Sequence, residues 1–118
     1  MSEVTFEEYL EFLQRTKWYA HADQNDSGEL VYHALGIAGE GGEFVDLVKK
    51  VARDHGYNTP LSELSATLIG RLHDELGDVL WYLTQAAYLL GLTIPELMEL
   101  NRAKLEAREA EGGRQHVR

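Results

Sequence analysis

Along the third quarter of the chain, Leu68, Leu72, Leu76, Val79, Leu83, Ala86 and Leu90 recur at intervals of three and four residues. Only a helix gathers that spacing onto one face, and a helix with so long a stripe must be covered by other helices. Its second half, VLWYLTQAAYLLGL from Val79 to Leu92, is apolar nearly all round, yet it is fourteen residues and holds Thr84 and Gln85. A membrane span needs about 20 residues, so the run reads as a buried core helix, with no membrane partner. Three neighbouring helices in a small chain leave part of such a surface bare. The expectation is a homodimer with this helix at its centre, a tetramer being the larger alternative.

The rest of the chain follows the same period, with little of the alternation expected of strands. An all-α, four-helix bundle is predicted, assembling through helix–helix contacts into a homo-oligomer. The first helix runs from about Thr5 to Ala22, with Thr5 and Glu8 in capping-box spacing, and the loop HADQNDSGE ends it. The second starts near Ser27 to Glu29 and runs to about His55, with Leu30, Ala34, Ile37, Phe44, Val48 and Val51 on its stripe. HGYNTPLSE breaks the chain before the third helix, which runs from Leu61 or Ser62 to Leu90 and is closed by Gly91. The fourth takes Thr93 as cap and Pro95 in its first turn and carries Leu97, Leu100 and Leu105 towards Arg108. The tail EGGRQHVR is expected to be frayed or partner-dependent.

The 118 residues fit a single domain, 1–118, with enough chain to bury a core without covalent staples. There is no cysteine, which excludes disulfides, thiolate metal sites and a cysteine nucleophile. The start MSEVTFEEYLEFLQR is acidic and amphipathic, unlike a secretory signal, so a cytoplasmic protein is expected. The net charge of -9 argues against a nucleic-acid polymer as partner, because displacing counterions from a phosphate backbone needs a basic surface. A ligand carrying phosphates would need a metal.

One stretch conflicts with its own helix. GIAGEGGEFVDLVKK holds Gly36, Gly39, Gly41 and Gly42, and each interior glycine costs a helix roughly 1 kcal/mol against alanine. The glycines surround Glu40 and Glu43, which lie three apart and share a helix face; Glu75 and Asp78 repeat that arrangement on the next long helix. If the two helices pack antiparallel, four carboxylates converge at the edge of the core. Such a group repels itself unless a cation neutralises it, and oxygen ligands alone select magnesium, with manganese the alternative. Magnesium takes its remaining ligands from water and phosphates. The glycines would then let another backbone, or the ion and its waters, come close. Taken singly, each acidic pair is an ordinary solvated face; two pairs beside apolar stripes, one among costly glycines, are not.

GEGGEFVDLVKK, LHDELGDVLWYL and AAYLLGLTIPELMELNRAKLEAR together resemble the MazG-like all-α nucleoside triphosphate pyrophosphohydrolases, over Tyr32 to Arg108. The resemblance implies magnesium-dependent hydrolysis of a ribo- or deoxyribonucleoside triphosphate between the α and β phosphates, in nucleotide-pool house-cleaning. It makes Glu40, Glu43, Glu75 and Asp78 metal ligands, with Glu40 or Glu43 also activating water. Asn101 and Lys104 would contact the nucleotide. Phosphoribosyl-ATP pyrophosphohydrolase, dUTPase-like or dCTPase-like specificity, and a non-catalytic metal-binding helical dimer are the alternatives.

Further contacts are open to two readings. Asn101, Lys104 and Arg108 share a face of the last helix, and residues 101–118 hold five of the eleven basic residues, so positive potential gathers there. Arg108 serves equally as a complement to the helix dipole. Lys49, Lys50 and Arg53 lie near a helix end, where Arg53 reads as a dipole or solvent residue. Tyr82 stands one turn beyond Asp78 and could reach a sugar or phosphate, whereas Trp81 points about 100° away, towards core or dimer interface. Trp18 or Tyr19 could stack a base, against the packing role usual for aromatics. His21 and His33 read as structural or exposed residues, and no histidine metal site is indicated.

Overall fold

The computed structural model describes residues 3–112, and among these it is all helical, with four α-helices and no strand. The tail expected to fray lies outside the described residues from residue 113 onward. α1 spans Phe6–Arg15, α2 Ser27–His55, α3 Ala66–Leu89 and α4 Ile94–Ala110, with a single 3-10 turn at Leu61–Glu63.

Each helix begins where a side chain captures an otherwise unpaired backbone donor. Thr5 with Glu8, and Thr93 with Glu96, form reciprocal capping boxes, while Asp26 and Ser65 accept from the N–H of Glu29 and Leu68. The third long helix starts at Ala66, later than Leu61 or Ser62, because Leu64 is extended and buried, which separates the 3-10 turn from the Ser65 cap. After Leu89 the chain turns at Gly91 (φ 88°) with Leu92 N–H donating to the Ala87 carbonyl, the expected glycine-closed end.

α1 stops at Arg15 and does not reach Ala22. The Thr16 hydroxyl lies 3.1 Å and 3.2 Å from the carbonyls of Phe12 and Leu13, satisfying the last turn. Beyond it the backbone N–H groups of Asp23 and Asn25 point to the Glu29 carboxylate at 3.1 Å and 2.8 Å, so this stretch is bound to the start of α2.

α2 and α3 form the central antiparallel pair. Gly36 faces Tyr82, Glu40 and Glu43 come alongside Asp78 and Glu75, and Val51 shares a depression with Leu68. α1 and α4 each pack on α3 more sparingly. The buried apolar residues are only Leu13, Leu47, Leu64 and Ala87 among those described. Leu47, outside the predicted stripe, is the most enclosed apolar residue of α2, whereas Val48 on the stripe is exposed, as are Val31, Leu35 and Val45 on α2 and Leu76, Leu80 and Leu83 on α3. The radius of gyration, 17.4 Å, exceeds the roughly 13.5 Å of a compact chain of this length. No helix among the described residues is long and apolar enough to cross a membrane.

Candidate metal centre and flanking hollows

The antiparallel register brings Glu40 and Glu43 of α2 to Glu75 of α3, each offering one carboxylate oxygen within 4.8 Å of the others. Two of their oxygens, Glu40 Oε2 and Glu75 Oε2, are buried with no hydrogen-bond partner. Burial raises the Glu40 carboxyl above its ordinary value, aided by the Glu43 carboxyl and the charges of Asp78 and Glu75. Burial likewise raises Glu75, together with the charges of Glu43 and Asp78. Orphaned acceptors held against mutual repulsion are what a hard divalent cation satisfies, so the residues present fit such an ion. Asp78 falls outside the tight triangle; it joins Glu40 in lining the adjacent hollow.

That hollow, about 360 Å³, is walled by Phe12, Thr16, Trp18, Trp81 and Tyr82 besides the two acids. Trp18 and Tyr82 therefore share this hollow with Glu40 and Asp78, and Trp81, read as core or interface, lines it too. The reason is that the hollow opens between α3 and the end of α1, the side to which Trp81 turns: its indole N–H reaches Thr16 Oγ1 at 3.4 Å. The Tyr82 hydroxyl is pushed up to about 12, first by the hydroxyl of Tyr32 and then by burial and the charges of Glu40 and Asp78, so it stays a donor at neutral pH.

Further along the α2–α3 groove lies a second hollow of about 450 Å³, lined by Gly39, Gly42, Glu43, Asp46, Leu47, Lys50, Arg71 and Glu75. Its cations are available. Lys50 shares Asp46 with Lys49 in an exposed pair, and Arg71 has no ion-pair partner among the described residues. Arg71 precedes Glu75 by one helical turn, a signal that could have nominated it from sequence; Phe12 and Thr16 offer no comparable mark. Arg53 pairs with Asp54 in solvent, in keeping with the dipole or solvent reading. Asn101 lines a separate hollow with Phe6, Pro95 and Met98, and neither exposed Lys104 nor half-buried Arg108 lines either hollow that holds the acids.

The glycines divide into two kinds. A Cβ on Gly36 would stand 2.1 Å from the Tyr82 ring, so this glycine admits an aromatic side chain. Gly39, Gly41 and Gly42 have nothing within 4 Å of that position among the described residues, so of the backbone or ion expected there, these residues supply no backbone.

Beside the hollow, sequence reasoning missed a buried polar network. Glu29 is 4 % exposed and His33 2 %, and the Tyr19 hydroxyl lies 2.7 Å from Glu29 Oε2 and 3.1 Å from His33 Nε2. His21 is exposed, and His33 is structural, as expected of isolated histidines. Burial lowers the His33 imidazole from 6.5, with Lys17 adding to it and Glu29 opposing; its remaining neighbours are the rings of Tyr19, Tyr32, Trp81 and Tyr82. Burial works against the Glu29 carboxylate, but the Tyr19 hydroxyl and the N–H groups of Asn25 and Asp23 hold it below 4.5. Both groups favour the deprotonated form in the folded chain. Their contribution is complete above the unfolded values and declines on acidification, below 6.5 for His33 and below 4.5 for Glu29. The thermal midpoint of the wild type is therefore expected to fall relative to that of His33→Gln between pH 7 and pH 5.5; parallel curves would refute the assignment.

Gene 37 protein of Mycobacterium phage L5 is 35 % identical to this chain over 98 residues, covering 82 % of each. No solved structure matches. The model of the MazG nucleotide pyrophosphohydrolase domain matches residues 32–112, the segment that carries both acidic pairs, the glycines and α4. With that match spanning well over half of its length, the chain belongs to the MazG nucleotide pyrophosphohydrolase family.

Proposed function

We propose that this protein hydrolyses a ribo- or deoxyribonucleoside triphosphate between its α and β phosphates, giving a monophosphate and pyrophosphate, with magnesium as cofactor. One observation carries the reading: the carboxylate triangle, with its two orphaned oxygens, lies between an aromatic hollow and a basic one. The stretch of α3 from Arg71 to Tyr82 is about 16 Å long at 1.5 Å per residue, a span suited to an extended nucleotide.

The nucleoside enters the aromatic hollow, its base against Trp18, Trp81 or Phe12 and its sugar near the Tyr82 hydroxyl. The phosphates run past the acids towards Lys50 and Arg71, which neutralise charge building on the departing pyrophosphate. Magnesium held by Glu40, Glu43 and Glu75, with Asp78 completing the set, would polarise the phosphoryl oxygens and lower the pKa of the attacking water. Glu40 or Glu43 accepts the water's proton as attack proceeds in line.

The exposed apolar faces of α2 and α3 support assembly into a homodimer or larger homo-oligomer. Asn101, Lys104 and Arg108 keep a phosphate role in this reading when α4 belongs to another subunit.

The test is a panel of ribo- and deoxyribonucleoside triphosphates with magnesium, products resolved as monophosphate, diphosphate, pyrophosphate and phosphate. Monophosphate with pyrophosphate from a subset is expected. Release of single phosphate sinks α–β cleavage, and inactivity across the panel, with manganese also tried, points to a modified nucleotide, phosphoribosyl-ATP or a non-catalytic metal-binding dimer.

A further inference from the structure

Tyr19 and Glu29 precede the segment that the family model matches, and the chemistry proposed above uses neither of them nor His33. The connection between α1 and α2 nevertheless depends on them. His21, Asp23 and Asn25 hold φ of 67°, 64° and 53°, a backbone that persists only where its surroundings over-determine it. Glu29 does so: its Oε2 accepts from Asp23 N–H and the Tyr19 hydroxyl, and its Oε1 from Asn25 N–H. The hydroxyl has a single proton, committed to Glu29 at 2.7 Å, so it accepts from His33, which must carry its proton on Nε2. The Tyr19 ring also stacks on Tyr32 at 4.3 Å and meets Trp81 edge-on at 6.3 Å. With Tyr19 drawn inward, its neighbour Trp18 is left 85 % exposed on the wall of the aromatic hollow.

We propose that Tyr19, Glu29 and His33 are positioning residues that latch the α1–α2 connection so that Trp18 stands as a fixed wall of the nucleoside hollow. The inference rests on the hydrolase reading insofar as that hollow receives the nucleoside. None of the three touches substrate. An unlatched Trp18 must be ordered each time a nucleotide binds, which weakens binding and leaves the chemistry at the acids nearly untouched.

The test combines Tyr19→Phe with two readouts: steady-state kinetics on a triphosphate from the panel, and emission anisotropy of Trp18 without nucleotide, excited selectively over tyrosine in a Trp81→Phe background that leaves Trp18 as the sole tryptophan. Tyr19→Phe is expected to raise KM about tenfold with kcat held within about twofold, to lower the anisotropy, and to add nothing to KM once Trp18 is alanine. Wild-type anisotropy, or a KM increase that survives undiminished in Trp18→Ala, overturns the latch. Should Tyr19→Phe fail to fold, Glu29→Gln carries the same readouts. If the wild type hydrolyses no triphosphate, the hydrolase reading falls by itself, and anisotropy alone then decides the latch: a drop upholds it and no drop overturns it.

Discussion

Glu40→Gln is expected to reduce pyrophosphate release by about three orders of magnitude or more while raising the thermal midpoint of the metal-free protein. Glutamine keeps the volume of the side chain, so the packing between α2 and α3 is undisturbed. What it removes is one charge from a group in which burial, Glu43, Asp78 and Glu75 all penalise ionisation of Glu40. The metal-free chain therefore gains, while in the proposed mechanism the chain with magnesium loses a ligand and one of the two candidate proton acceptors. Calorimetry with and without magnesium separates the two effects. The wild-type midpoint should climb with magnesium, because an ion that binds only the folded state stabilises it, and the variant should respond far less. A variant that kept its turnover, or whose metal-free midpoint fell, would remove the carboxylate triangle from the mechanism.

Gly36→Ala and Gly42→Ala are the same substitution in the same helix, and they should act in opposite directions. At Gly36 the new methyl would stand 2.1 Å from the Tyr82 ring, a collision that only displacement of the ring relieves. Overpacking of this kind costs about 1–3 kcal/mol, offset in part by the roughly 1 kcal/mol that alanine returns to helix propensity. The thermal midpoint should fall by several degrees, and activity with it, since the displaced ring lines the aromatic hollow. At Gly42 nothing stands within 4 Å, so propensity acts alone and the variant should be more stable by about 1 kcal/mol. It should nevertheless bind triphosphate more weakly, because Gly42 lines the hollow with Lys50 and Arg71. A Gly42→Ala protein both more stable and equally active would mean that the missing side chain reserves no space for substrate.

The periodic parts of this molecule were legible beforehand. The all-helical class, the Thr5–Glu8 capping box, the Thr93 cap and the turn at Gly91 rest on interactions between residues at most five apart, which one sequence displays directly. The meeting of Glu40 and Glu43 with Glu75 followed from two spacings and one assumption of antiparallel packing. What escaped depends on partners far along the chain. The early end of α1 is a nearer case: Glu29, which marked only the start of the second helix in the sequence, holds the N–H groups of Asp23 and Asn25, six and four residues back. Gly36 makes room for a ring 46 positions later, whereas the space beside its three companions has no occupant among the described residues to be read. Trp81 was assigned by its angle from Tyr82 on α3, and the end of α1 supplied the opposite wall.

The two hollows share no lining residue, and the acids are divided between them, Glu40 and Asp78 at one and Glu43 and Glu75 at the other. A molecule severed over that boundary would leave its halves in separate berths, each with its own mouth to solvent. Neither fragment would block the departure of the other, so no compulsory sequence of exit would govern turnover. Added monophosphate would compete with incoming substrate for one berth and added pyrophosphate for the other, and the two could sit side by side in a dead-end complex.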